Sequence, residues 1–233
     1  MLDKECSKML LLAADTSGKQ GSIALAECGA GESCATIEVL PLTGGAFSAE
    51  LVPRIADLLN KHGFSRNDLG AFAVVSGPGS FTGLRVGLAA IKALAEALQK
   101  PIAAVSFLEA VACGSTTRGR VLAVLNAGRG DVYVGDYELN PQIRMHSERL
   151  LSQTAFLAEA KARLVVTPDA ALAAMVRASA PEVQIEQIDH PNSGVIARLG
   201  WQHLQRGETV PPEDLEANYI RQSDAEIFSK LAS

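Results

Sequence analysis

Residues 71–98 read as a buried strand, a glycine-hinged turn and a helix in one unbroken run, and few folds can hold that sequence. Residues 71–75 are apolar with β-branched residues at the end, whereas residues 82–98 are rich in Ala and Leu, so the period changes from strand to helix. Between them Pro78 fixes its own φ, Gly77 and Gly79 can adopt positive φ, and Ser80 or Thr82 can cap the N–H groups that follow. A helix start stripped of side chains attracts anions, which makes the turn a candidate phosphate or carboxylate site. It reads equally as a tight structural turn. The spacing Gly77-x-Gly79-x-x-x-Gly83 is one residue longer than a dinucleotide fingerprint, and no Lys-Ser or Lys-Thr pair follows as in a P-loop.

A chain of 233 residues can bury one large core or two joined ones. Its net charge of −5 and scattered basic residues disfavour a free-standing nucleic-acid binder. The nearest basic group, Arg118, Arg120 and Arg129, lacks interleaved aromatics, which make up only 5% of the chain. The charged start, Met-Leu-Asp-Lys-Glu-Cys-Ser-Lys, and the short apolar run at 9–14 do not suit a signal peptide, and no segment suits a membrane span. Cys6, Cys28, Cys34 and Cys113 form no Cys-x-x-Cys pair. These features predict a cytoplasmic, reduced protein in which Cys28 and Cys34, facing each other across a turn, remain thiols.

Along the chain, residues 9–14, 21–27 and 34–40 read as three strands, and residues 48–62 as a helix with Leu51, Ile55, Leu58 and Leu59 on one stripe. Ser65-Arg-Asn-Asp68 resembles a capping box before the residue 71 strand. After the helix of residues 82–98 come a strand at 102–105 and a helix from Ser106 through Cys113. The polar stretch 114–120 suggests a boundary, giving an N-terminal lobe of residues 1–113, completed by the C-terminal segment, and a second lobe of residues 114–233. The second half repeats the pattern: strands at 121–125, 131–139 and 144–149, then helix, strand, helix and strand at 154–161, 164–167, 170–179 and 183–188. Asn192 can cap a long helix to about residue 206. Three hairpin-connected strands followed by alternating helices and strands, twice over, suggest a duplicated α/β unit.

Several segments together carry a family resemblance. Ser-Gly-Pro-Gly-Ser-Phe-Thr-Gly-Leu-Arg-Val-Gly-Leu from Ser76, preceded by Leu-Leu-Ala-Ala-Asp15-Thr16-Ser17 and followed by Pro101-Ile-Ala-Ala-Val-Ser-Phe-Leu-Glu-Ala110, resembles the TsaB (YeaZ) family. Asn126-Ala-Gly-Arg-Gly-Asp-Val-Tyr133 and Tyr219-Ile-Arg-Gln-Ser-Asp-Ala-Glu226 fit its second-half hairpin, usually begun with Asp, and its C-terminal signature. The resemblance implies an actin-like ATPase (ASKHA) fold, α/β, with two similar lobes, each a mixed sheet flanked by helices. In that fold the phosphates of a nucleotide are gripped by the first hairpin turn of each lobe. Asp15, Thr16 and Ser17, and Asn126, occupy those turns here as vestigial phosphate-site positions, while Gly77 and Gly79 shape the structural turn.

The same resemblance bears on catalysis. Asp15 could hold a metal-bound water or could cap its own turn; Asn126 cannot supply a carboxylate. The paralogue TsaD carries Asn-His-Leu-Glu-Ala-His, two histidines on one helix face that hold a metal ion, where this chain has Phe107 and Val111 in residues 106–111. Neither side chain offers a lone pair, so no metal can be held there. His62, His146, His190 and His203 have no ligand spacing, and no Gly-x-Ser-x-Gly elbow is present. The resemblance therefore implies a non-catalytic scaffold subunit in biosynthesis of N6-threonylcarbamoyladenosine in tRNA, without cofactors of its own. ATP and metal would sit on partner subunits. TsaD would be its heterodimer partner, with TsaE and tRNA joining the complex and a homodimer possible through the same helices.

The helix of residues 82–98 confines its polar residues to Arg85, Lys92, Glu96 and Gln99 just beyond it, so it must be covered on more than one side, by neighbouring helices or by a partner. With the family's pairing through its first two helices, the expected interface is Val52, Ile55 and Leu59 with Leu84, Leu88 and Ile91. Phe47 stands where the family often has His. An independent ATP-dependent kinase or hydrolase of the same fold, using Asp15 for metal and phosphate, is the competing class.

Overall fold

The computed structural model describes residues 8–221 apart from 32 and 141. Cys6 and the end of the C-terminal signature, residues 222–226, lie outside the described residues. The chain divides into two compact units, residues 1–106 with 191–217, and residues 107–190 with 218–233.

The first unit is built on a five-stranded sheet of order β3-β2-β1-β4-β5. Its strands are β1 (Met9–Asp15), β2 (Gln20–Cys28), β3 (Cys34–Thr43), β4 (Leu69–Gly77) and β5 (Ile102–Ser106). β1, β2 and β3 form an antiparallel meander, and β4 and β5 add in parallel, each reached through a helix. The two crossovers contain α1 (Phe47–Lys61) and α2 (Phe81–Leu98). The central strands are apolar on both faces, as parallel strands covered by helices must be. A Cβ on Gly21 would lie 2.7 Å from the Phe47 ring of α1, while the next residue, Ser22, bonds Ser193 of α6 (Ser193–Gln205). Successive strand residues point to opposite faces, so α1 and α6 cover opposite sides of the sheet.

The second unit repeats this order as β8-β7-β6-β9-β10. Its strands are β6 (Arg120–Gly128), β7 (Asp131–Leu139), β8 (Ile143–Ser152), β9 (Leu164–Thr167) and β10 (Ile185–Gln187), with α4 (Gln153–Ala160) and α5 (Ala170–Ser179) in the crossovers. One face of this sheet closes a core of Leu122, Val124, Val132, Val134, Phe156, Val165, Leu172 and Val176. The other meets α3 (Phe107–Cys113), where Gly135 leaves room for Leu108. The identical strand order in both units is the actin-like ATPase architecture.

Each unit takes one helix that follows the other unit's sheet. α3 comes after β5 yet packs on β6 and β7, and α6 comes after β10 yet packs across all five strands of the first sheet. Residues 107–113, placed by the sequence in the N-terminal lobe, therefore go with the second unit. Gly200 makes α6 fit, since a Cβ there would strike Ala73 of β4.

Most expected elements form, with shifts at their ends. β4 runs Leu69–Gly77 rather than 71–75, and β10 is only Ile185–Gln187. The Ser65–Asp68 box is present: the Asp68 carboxylate accepts from Ser65 N at 2.7 Å and Ser65 Oγ at 2.8 Å, and those bonds lower its pKa. In the second unit Asp136 is buried under Arg120, which binds both its oxygens at 2.8 Å, and Arg163 at 3.2 Å. Burial alone would raise its pKa; the two guanidinium groups outweigh that and hold it low.

The expectation of free thiols at Cys28 and Cys34 is corrected. The two residues are directly opposed at the end of the β2–β3 ladder and joined as a disulfide.

Candidate functional site

The β1–β2 turn and the start of α2 form one interlocked unit. Asp15, Thr16 and Ser17 are all buried. Asp15 Oδ1 accepts from Ser17 N at 2.8 Å and Ser17 Oγ at 2.6 Å, so the carboxylate closes its own turn. Thr16 Oγ1 donates to Gly83 O at 2.7 Å, and Ser17 O accepts from Ser80 N at 2.6 Å. Ser80 caps α2, its Oγ accepting from Gly83 N at 3.3 Å.

The glycines follow from this contact. Gly77 has φ 139°, a conformation that favours glycine, but Gly79 does not need positive φ. A Cβ on Gly79 would lie 2.7 Å from the Ser17 Cβ, and one on Gly83 or Gly87 would fall inside 3.0 Å of Thr16 O or Thr16 Oγ1 respectively. Gly79, Gly83 and Gly87 are therefore a bed for the β1–β2 turn. Of the two readings of this glycine pattern, the structural one accounts for its spacing.

At the corresponding turn of the second unit, Asn126 is exposed and its Oδ1 accepts from Gly128 N at 2.7 Å, again closing its own turn. Arg221 reaches this hairpin, its Nη2 bonding Asp131 Oδ2 at 2.5 Å. At the helix position where the paralogue's histidines would fall, Phe107 and Val111 are buried, and the Phe107 ring lies 5.0 Å from the His190 ring. Among the described residues no group of three His, Cys, Asp or Glu could hold a metal ion.

The expected interface residues are mostly interior. Ile55, Leu59, Leu84, Leu88 and Ile91 are buried within the chain's own core, and of the six only Val52 is on the surface, at 55% exposure. The large side chains of both helices face the sheet. The outward faces carry small apolar ones instead.

On α1, Ala49, Val52, Pro53 and Ala56 are exposed at spacings of three, one and three, which is one helical face. On α2, Ala89, Ala93 and Ala97 are exposed and Val86, Ala90 and Leu94 half-buried, all on the side opposite Leu84, Leu88 and Ile91. The charged Arg85, Lys92 and Glu96 are confined to one edge of that face. Phe81, 43% exposed, begins α2 with the Arg85 guanidinium 3.7 Å over its ring. α1 and α2 pack side by side.

Residues 41–157 match the family model described as TsaD: tRNA N6-adenosine threonylcarbamoyltransferase. The tRNA threonylcarbamoyladenosine biosynthesis protein TsaB of Bacillus subtilis is 37% identical over 131 residues, 56% of each chain. Its namesake in Escherichia coli is 34% identical over 143 residues, 60% of each chain. The solved structure of YeaZ from Pseudomonas aeruginosa superposes with a TM-score of 0.70 at 25% identity, covering 91% of this chain and 99% of that one. The chain belongs to the TsaD family, in its TsaB (YeaZ) group. The alignments to the two TsaB sequences span less than two thirds of those proteins.

The six expected interface positions lie on α1 and α2, and five of them face the chain's own core. Amphipathicity places large apolar residues on a stripe but does not say whether the stripe meets the chain's own sheet or another molecule. A signal was present in residue size: on α2 Leu84, Leu88 and Ile91 fall on one side and Ala89, Ala93 and Ala97 on the other. A sheet takes the bulky side chains, and a helix face left with alanines lets another backbone approach closely.

Proposed function

We propose that this chain is a non-catalytic subunit that docks on a TsaD-type transferase and supports it in making N6-threonylcarbamoyladenosine in tRNA. The observation that carries this reading is the outward face of α1 and α2, apolar over Ala49, Val52, Pro53 and Ala56 and over Ala89, Ala93 and Ala97. Such a surface is costly to leave in water and suits close helix–helix packing. The names of the TsaB relatives supply the pathway, and the family model that matches residues 41–157, a stretch containing both helices, is described as TsaD. The packing of Phe107 and Val111 supports a supporting role, because an apolar core replaces the paralogue's ligand positions.

In this reading ATP and metal belong to the partner subunits, TsaE and tRNA join only in the assembled complex, and the chain's locale is the cytoplasm where tRNA is modified. A homodimer through the same face would compete with TsaD. Co-expression with tagged TsaD tests the proposal: the wild-type chain co-purifies, Val52→Glu and Ala93→Arg do not, and Glu96→Lys at the polar edge does. Co-purification of all three variants would remove this interface. Magnesium-dependent ATP turnover by the isolated chain, lost in Asp15→Ala, would replace the reading with the kinase or hydrolase one.

A further inference from the structure

The β2–β3 ladder runs without interruption of pairing from Gln20↔Thr43 to Cys28↔Cys34, apart from one bulge at Leu25/Ala26. That register, and not a chance approach of side chains, sets the two cysteines opposite each other, with Cα atoms 4.0 Å apart. The hairpin loop beyond them is held at Gly29 N, which donates to Ser33 O at 2.8 Å. It also holds a helix. Trp201 Nε1 donates to Gly31 O at 2.8 Å, and Trp201 lies in the second half of α6, the helix that spans the first sheet. Trp201 is the chain's only tryptophan.

We propose that Cys28 and Cys34 form a reversible thiol–disulfide switch that sets how firmly the hairpin loop holds Trp201, and through it α6, on the first sheet. Cys28 is fully buried and Cys34 half-buried, so reaction starts at Cys34. With a low-molecular-weight disulfide as oxidant, the Cys34 thiolate attacks one sulfur of the oxidant and expels the first small thiolate. The Cys28 thiolate then attacks Cys34 Sγ, breaks the mixed disulfide and expels the second. Two electrons leave the cysteine pair, and the two protons they lose are taken up by the two small thiolates. Excess small thiol reverses both steps. When the bond is closed the loop is a short ring and Gly31 O stays presented to the indole; when it is open the loop gains conformational freedom.

The test uses the full chain with Cys6→Ser and Cys113→Ser, equilibrated in glutathione buffers from fully reduced to fully oxidised. The expected result is loss of two hydrogens by mass on oxidation, a Tm higher by roughly 5 °C, and a change in Trp201 emission that follows the same redox titration. All three reverse with reduced glutathione. Adding Cys34→Ser abolishes the redox dependence. Free thiols at every glutathione ratio, a glutathione adduct that persists at Cys34, or oxidation that leaves Tm and Trp201 emission unchanged would each overturn the switch.

Discussion

Gly83→Ala separates packing from helix propensity by the sign of its effect. Gly83 lies in the first turn of α2, where alanine alone would gain up to about 1 kcal/mol over glycine. In this structure the added Cβ would fall inside 3.0 Å of Thr16 O, a backbone atom of the β1–β2 turn that no rotamer change can remove. The helix start must therefore retreat from the turn by roughly 1 Å, an overpacking cost of about 1–3 kcal/mol. The retreat also stretches the Thr16 Oγ1 to Gly83 O bond of 2.7 Å and the Ser80 N to Ser17 O bond of 2.6 Å, at about 1 kcal/mol each. Set against the propensity gain, the net loss is about 2–4 kcal/mol. Urea unfolding followed by circular dichroism measures it, with Gly87→Ala as comparison. There the new Cβ meets the Thr16 hydroxyl, which can turn aside only by giving up its bond to Gly83 O, about 1 kcal/mol. Gly83→Ala should thus be the more damaging substitution. A Gly83→Ala protein as stable as wild type, or more stable, would refute the interlocked turn.

Thr16→Val keeps the shape of the buried side chain and removes its bond to Gly83 O, so stability should fall by about 1 kcal/mol in the same urea assay. Asp136 supplies an acid-sensitive element. Its pKa is held low in the folded chain, so its contribution is complete above the ordinary aspartate value of about 4 and is lost as pH falls through the folded value. Asp136→Asn should cost about 1–3 kcal/mol at pH 7 and flatten the loss of stability below pH ~4, measured by Tm across pH 2–7. In the docking proposal, Val52→Glu and Ala93→Arg should change Tm by no more than about 1 °C, because both residues are exposed in the isolated chain.

The alternation of strands and helices was legible because it follows local rules. Residues 9–14, 21–27 and 34–40 alternate or run apolar between turn residues, and Ser80 and Asn192 stand at helix starts as caps. Chain connectivity hid the placement of α3, which follows β5 yet packs on β6 and β7. The purpose of Gly83 was equally hidden, for Thr16 lies 67 residues away. Phe47, read only as a local departure, fills the space over Gly21. The opposition of Cys28 and Cys34 across their turn was legible; their bond was not, because the sequence reading took the thiol state from the compartment and not from the ladder that brings the two residues together.

Isothermal titration of purified TsaD with this chain, wild type against Ala93→Arg, tests the docking face most directly. The account predicts a complex with the wild type and binding at least 100-fold weaker, about 2.7 kcal/mol, for the variant. Equal affinity of the two proteins, or no heat of binding from the wild type, would contradict it.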